Sequence, residues 1–148
     1  MSEACLLDVN VLVSLAWPNH VHHGVALRWF RALEGSWATT PATECGFVRV
    51  SCNRAAVGVP VRPEEAISLL ARLSAFGAHM SLPDDVELVA GGAEEGLVSR
   101  AALVSYKQVA DAHLLALARR HGARLATLDA GVLALAGSQA KDVVLVAS

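Results

Sequence analysis

The chain has 148 residues, 54% of them hydrophobic and only 18% charged, with a formal net charge of −2. This length suits one domain with a real core, and the composition excludes a disordered chain, which needs low hydrophobicity and high net charge. Three cysteines, Cys5, Cys45 and Cys52, are too few and odd in number for a disulfide scaffold, and the mild negative charge gives no overall attraction for nucleic acid.

The apolar excess raises the question of a membrane. A spanning helix needs about 18 uninterrupted apolar residues. Val11 to Trp17 is short, holds Ser14 and stops at Pro18, and the runs 132–136 and 143–147 are shorter still. No Lys or Arg precedes the first apolar stretch, so the basic region of a signal peptide is missing. The expectation is a cytoplasmic protein with reduced thiols and no membrane association. Its surplus Ala, Val and Leu then belong to elements buried on both faces or to partner surfaces.

In chain order, 4–7 reads as a buried first strand ended by Asp8, and a helix follows over 9–17, stopped by Pro18. A second helix is predicted over 21–33, closed by Gly35, and a strand over 37–39. Thr40 and Pro41 fit the cap and first position of a helix reaching Asn53. The segment 55–62, with Gly58 and Pro60, reads as a loop. Ile67, Leu70 and Leu73 at helical spacing predict a helix over 63–76, and 79–82 a strand before Pro83. The stretch 84–105 has helical patterning interrupted by Gly91, Gly92 and Gly96. A helix over 109–120 ends in Arg119, Arg120 and Gly122, followed by a strand at 124–127, a short helix at 130–136 and a strand at 143–146. Strands alternating with helices indicate one α/β domain over 1–148, a mostly parallel sheet with helices on both faces.

In such sheets ligands bind beyond the carboxyl ends of the strands. Asp8 and Asp129 follow strands, and Glu44 lies in the first turns of the helix after the 37–39 strand, so all three collect at one edge. Asp111 shares a helix face with Leu114, Leu115 and Ala118 and so points inward, while His113 and Arg120 lie opposite. Glu44 likewise shares a face with Phe47 and Val48. Each acid alone has an ordinary explanation as a helix cap or a dipole partner. Glu44, however, is four residues from Thr40, not three, so no capping box is expected, and Asp111 lies on a buried stripe. Two unit charges about 5 Å apart repel by roughly 3 kcal/mol at an effective dielectric of about 20. Converging four acids therefore calls for a divalent cation, and an all-oxygen set suits Mg²⁺ or Mn²⁺ over zinc.

Leu6-Leu7-Asp8-Val9-Asn10-Val11-Leu12 resembles the opening motif of PIN-domain ribonucleases, a strand followed by Asp-x-Asn and a helix. Thr40-Pro41-x-x-Glu44 followed by Gly46-Phe47-Val48-Arg49 resembles their second acidic motif, 111–118 the third, and Thr127-Leu128-Asp129 the fourth. In order and spacing the set covers nearly the whole chain, and a free-standing domain of this size looks most like a VapC-type toxin. That resemblance implies a PIN-like three-layer sandwich, Mg²⁺- or Mn²⁺-dependent endonucleolytic cleavage of RNA, homodimerisation and neutralisation by a cognate antitoxin. It implies metal binding and catalysis by Asp8, Asp111, Glu44 and Asp129, with Asn10 and Thr127 in support. Ala110 and His113 depart from the family's pattern around the third acid.

Other candidates have plainer readings. His20, His22 and His23 read as a solvated loop, because zinc would need further ligands in a fitting geometry. Cys45 reads as a buried or inert thiol, and Trp17, Trp29 and Trp37 as core or interface residues. Arg119 and Arg120 lie about 12–14 Å along the helix from Asp111, too far to serve the site; Lys107 and Gln108 are better placed for RNA. Two rival functions remain: a catalytically silent PIN-like protein-binding module, and a phosphatase using Asp8 as nucleophile.

Overall fold

The protein is described from a computed structural model, which describes residues 3–87, 105 and 108–147. The chain builds β1 (Cys5–Leu7), α1 (Val9–Ala16), α2 (His23–Arg31), β2 (Trp37–Thr39), α3 (Pro41–Ser51), α4 (Arg54–Val57), α5 (Pro63–Leu73) and β3 (His79–Ser81). After the gap come α6 (Val109–Arg120), β4 (Arg124–Thr127), α7 (Gly131–Ala136), a 3-10 turn at Gly137–Asp142 and β5 (Val143–Leu145). The five strands form one sheet in the order β3-β2-β1-β4-β5, and every pairing is parallel. The chain thus winds outward from β1 through β2 to β3, then returns to the other side of β1 for β4 and β5. The order reverses between β1 and β4, the place where a doubly wound sheet opens a crevice at its carboxyl edge.

Strand side chains alternate between two cores, as a pleated sheet requires. Leu6, Ala38, Leu125 and Val143 pack on one face with Ala112, Leu115 and Val132 of α6 and α7. Cys5, Leu7, Trp37 and Ala126 pack on the other with Val11, Phe47, Ala66 and Leu70 of α1, α3 and α5. This is the three-layer α/β sandwich expected from the sequence, and the apolar surplus is spent on a sheet covered on both sides. Among the described residues no helix is long and apolar enough to cross a membrane.

Several predicted boundaries move by a turn or less. α2 begins at His23, not Val21, because 17–22 forms turns; α3 ends at Ser51 and α5 at Leu73. The predicted loop 55–62 begins instead inside α4, where the Asn53 side chain accepts from the Ala55 N–H and Gly58, at φ 81°, closes the turn. The stretch 84–105 falls mostly outside the described residues.

The capping of α3 also differs from expectation. A capping box does form, with Thr43 in place of the usual Glu or Gln. The Thr43 N–H donates to Thr40 Oγ1 (3.1 Å) and the Thr40 N–H donates to Thr43 Oγ1 (2.8 Å). A hydroxyl thus does the work that a carboxylate at that position normally does. Glu44 is thereby left out of the cap.

α1 and α3 meet closely at Gly46, where an added Cβ would lie 2.6 Å from Val9 Cγ2. Gly46→Ala is therefore expected to destabilise the protein by about 1–2 kcal/mol, because the clash with a stiff β-branched side chain outweighs the roughly 1 kcal/mol gain in helix propensity. In the Val9→Ala background the same substitution should be neutral or stabilising. Urea unfolding of the four proteins in this cycle checks it, and additive effects would show that the contact is unimportant.

Candidate active site

Asp8 is the first residue past β1 and the cap of α1. Its N–H extends the β1–β4 ladder to the Ala126 carbonyl (3.0 Å), and its Oδ1 accepts from the Val11 N–H (2.9 Å). Only 5% of it is exposed. Burial, the largest influence, and the charges of Asp111 and Asp129 push its pKa up to about 6, although hydrogen bonds from Thr127 and Val11 pull the other way. Asp111, half-buried in the first turn of α6, is also raised, first by burial and then by the charge of Asp129. Three carboxylates from three segments therefore feel one another at the carboxyl edge of β1 and β4. Two come from the strand ends and one from the helical layer on the α6 face.

Thr127, the last residue of β4 and fully buried, ties two of them together. Its hydroxyl accepts from the Asp129 N–H (3.0 Å) and stands near enough to Asp8 to favour that carboxyl's ionised form. The Asp129 side chain is itself held by the Gly131 N–H at 2.8 Å, a turn that opens α7. Asn10 is exposed in the first turn of α1.

Glu44 is held by different partners. The fully buried Thr39, last residue of β2, donates its Oγ1 proton to Glu44 Oε2 (2.8 Å), and the same oxygen meets His79 Nε2 at 2.9 Å. A hydroxyl has a single proton, so with that proton on Glu44 the oxygen accepts from His79, which fixes the imidazole as the Nε2–H tautomer. His79 also packs against Trp37, with ring centres 4.5 Å apart, and burial holds its pKa below the usual histidine value against the pull of Glu44. Glu44 is not among the charges that shift Asp8 or Asp111. Among the described residues no three His, Cys, Asp or Glu side chains group closely enough to hold a metal ion.

Residues 5–137 match the family model of the PIN domain. The chain is 48% identical over 128 residues to ribonuclease VapC39 of Mycobacterium tuberculosis, covering 86% of this chain and 89% of that one. It is 47% identical over 137 residues to ribonuclease VapC38 of the same organism, covering 92% of each. The chain is a VapC-type PIN domain. Among solved structures it is similar to VapC20 of M. tuberculosis, described as a Sarcin-Ricin loop cleaving toxin, with a TM-score of 0.58 over 90% of this chain and 95% of that one. At 19% sequence identity that likeness speaks for the PIN fold alone.

The PIN domain brings Asp8, Asp111 and Asp129 into one electrostatic group, with Thr127 beside them, and holds Glu44 through Thr39. Sequence reasoning missed Thr39 and His79. A hydroxyl at the last position of a strand, repeated in Thr39 and Thr127, was the available signal, whereas His79 lies 40 residues from its partner and gave none. His113 was expected on the solvated face of α6, yet its Nδ1 is buried without a hydrogen-bond partner among the described residues. The reason is that α6 is covered nearly all round, with Ala112, Leu114 and each residue through Ala118 buried. Cys45 is exposed, not buried, because it falls on the outer side of α3.

His20 and His23 are half-buried, bonded by Nδ1 to Ser14 Oγ (3.2 Å) and to the Ser14 carbonyl (2.9 Å), so only His22 of the three is solvated. The tryptophans behave as expected: Trp37 is core, and Trp17 donates to Ser51 Oγ at 2.8 Å. Arg119 and Arg120 pair with Asp142 and Asp85, away from the acids. Lys107 lies outside the described residues.

Because the folded-state pKa of Asp8 lies above its ordinary 3.8, its ionised form opposes folding. That penalty is complete above about pH 6 and is relieved as pH falls through 6 towards 4. Asp8→Asn keeps a capping oxygen and removes the charge. In chelator it should be more stable than wild type at pH 7–8, by on the order of 1–3 kcal/mol, with the gain vanishing near pH 4. Melting curves across that range test this, and parallel curves for the two proteins would refute it. Thr39→Val strips a buried hydroxyl from Glu44 and His79 at constant shape and should destabilise by about 1–3 kcal/mol. Urea unfolding measures that loss, and an unchanged midpoint would refute the link.

Proposed function

We propose that this PIN domain is a divalent-metal-dependent endoribonuclease acting as the toxin of a toxin–antitoxin pair. The observation that carries the reading is the mutual charge of Asp8, Asp111 and Asp129 at the crevice between β1 and β4. A buried carboxylate whose proton affinity is raised by burial and by two like charges has a deficit of positive charge, which a cation relieves. The donors are hard oxygens, which fit Mg²⁺ or Mn²⁺. Mg²⁺ keeps several waters and is commonly held by one or two carboxylates with substrate phosphate, so it does not require a closed group of three protein ligands, and none occurs among the described residues. Asp8 and Asp111 would hold the ion, with Asp129 and Glu44 as further ligands or water-positioning acids.

When bound, the ion supplies charge stabilisation at the scissile phosphate and eases ionisation of the attacking water. The protein's own part is positional. Thr127 and the Gly131 N–H fix Asp129, Thr39 fixes Glu44, and α1 fixes Asp8, so the acids face the substrate with little freedom left to lose. Hydrolysis forms a bond from the water oxygen to phosphorus and breaks the bond to one ribose oxygen, and the water's proton passes to a site carboxylate. Neutralisation by a cognate antitoxin and homodimerisation are further parts of this reading. The VapC relatives support the antitoxin, and apolar side chains left exposed, such as Ile67 and Phe76, leave room for a partner surface. The rival reading is a catalytically silent, protein-binding PIN domain, and metal-dependent cleavage distinguishes the two.

Purified protein should cleave RNA with Mg²⁺ or Mn²⁺ and stop when chelator is added. Asp8→Ala and Asp111→Ala should each lose at least about 100-fold in rate, several kcal/mol of transition-state stabilisation. The metal should also raise the wild-type melting temperature, and Asp8→Ala should lose that rise. No cleavage and no metal-induced rise would establish the silent module; full activity in both variants would overturn the site.

A further inference from the structure

A cleft of about 430 Å³ opens beside the acids, lined by Asn10, His20, Val21, His22, Leu128 and Asp129. Its volume falls in the range of about 300–1,000 Å³ usual for small-ligand pockets. Asn10 and Asp129 belong to the acid edge, so the cleft is continuous with the proposed site of cleavage. The opposite wall is the turn between α1 and α2. That turn is built, not loose: His20 Nδ1 meets Ser14 Oγ at 3.2 Å and accepts from the His22 N–H at 3.1 Å. The rings of His20 and His22 stand 5.7 Å apart, and between them Val21 is 85% exposed. A single exposed valine needs no explanation. Here the valine, flanked in sequence by two imidazoles, lines the same cleft as Leu128 and the Asn10 amide, so flat, apolar and hydrogen-bonding groups face one space.

That chemistry selects for a base. The lining holds the carboxyl of Asp129 and no Lys or Arg, so it does not suit a phosphate, whereas a neutral nucleobase presents π faces to imidazole, apolar contact to Val21 and Leu128, and a hydrogen-bonding edge to the Asn10 amide. We propose that this cleft is a subsite for one unstacked base of the RNA strand, and that the 20–22 turn sets which nucleotide lies next to the broken bond. The inference rests on the nuclease reading for its biological use. Base binding itself can be measured without cleavage.

Two experiments test it. On short single-stranded RNAs varied at the positions flanking the cut, His22→Ala and Val21→Ser should raise KM about 5- to 100-fold with kcat little changed. Base preference at one flanking position should flatten, and His22→Phe, which restores a ring face, should recover KM. Both residues are exposed, so folding should survive, with unchanged melting temperatures as the check. Separately, adenosine, guanosine, cytidine or uridine titrated into the metal-free protein should shift the His20 and His22 ring signals and the Leu128 methyl signals saturably in NMR spectra.

Unchanged KM and base preference, or nucleoside shifts only elsewhere, would overturn the subsite. So would variants that weaken a protein partner while RNA kinetics stay the same. Saturable nucleoside shifts in a protein that cuts no RNA would keep the cleft and remove the nuclease reading; cleavage without the shifts would do the reverse.

Discussion

The buried carboxylate of Asp8 is the interaction around which the molecule is arranged. It sits where the central strand becomes a helix, with its N–H in the sheet ladder and its Oδ1 on the first turn of α1. As a cap it contributes about 1 kcal/mol. As a charge it opposes folding, because desolvation and its acidic neighbours hold its pKa near 6. The two effects have opposite signs, and the capping bonds explain why the penalty is tolerated: they pull the pKa down and leave no buried oxygen of that cap idle. The buried carboxylate stands at the position where the strand order reverses, so topology and electrostatics meet at one residue.

Two threonines carry the same logic outward. Thr39 and Thr127 end β2 and β4, the strands flanking β1, and both are fully buried. Each hydroxyl accepts from an N–H and stands beside a carboxylate. Thr127 spans Asp8 and the Asp129 backbone, and Thr39 spans Glu44 and His79. A hydroxyl can donate and accept at once, which valine, its isostere, cannot. Parallel strands place these residues at one edge because all of them point the same way, so the sheet presents its hydroxyls in register with the acids.

Much of this was legible in the sequence, for physical reasons that also explain what was not. Short apolar runs and helical periodicity gave the order of strands and helices, and the acids after strand ends followed from where parallel sheets bind. Asp111 was read correctly as pointing inward because Leu114, Leu115 and Ala118 fix its face locally. His113 was not, since Leu114 through Ala118 are all buried and α6 is exposed chiefly at its two ends, a pattern that spacing does not reveal. The capping box escaped notice because Thr43 supplies through a hydroxyl what is usually sought as a Glu or Gln. The strand order and the His79 contact are set by pairing across the sheet, between segments far apart in the chain, on which local periodicity is silent.

The choice of side chains follows from how each acid is placed. Asp8, Asp111 and Asp129 are short, and each stands at or near the end of an element, so backbone position, with local N–H bonds to Asp8 and Asp129, puts the charge within a narrow region. Glu44 has one more rotatable bond and sits at the end of the first turn of α3. It is the acid that needs a tether from another strand, and Thr39 provides it, with His79 behind. The helix that carries it is in turn pressed against α1 at Gly46, where no larger residue fits beside Val9. Positions of Asp8 and Glu44 are thus coupled through rigid packing, not through side-chain reach. A site assembled this way is ordered before substrate arrives, and the stability given up to buried charge is returned as a lower entropic barrier to binding and reaction.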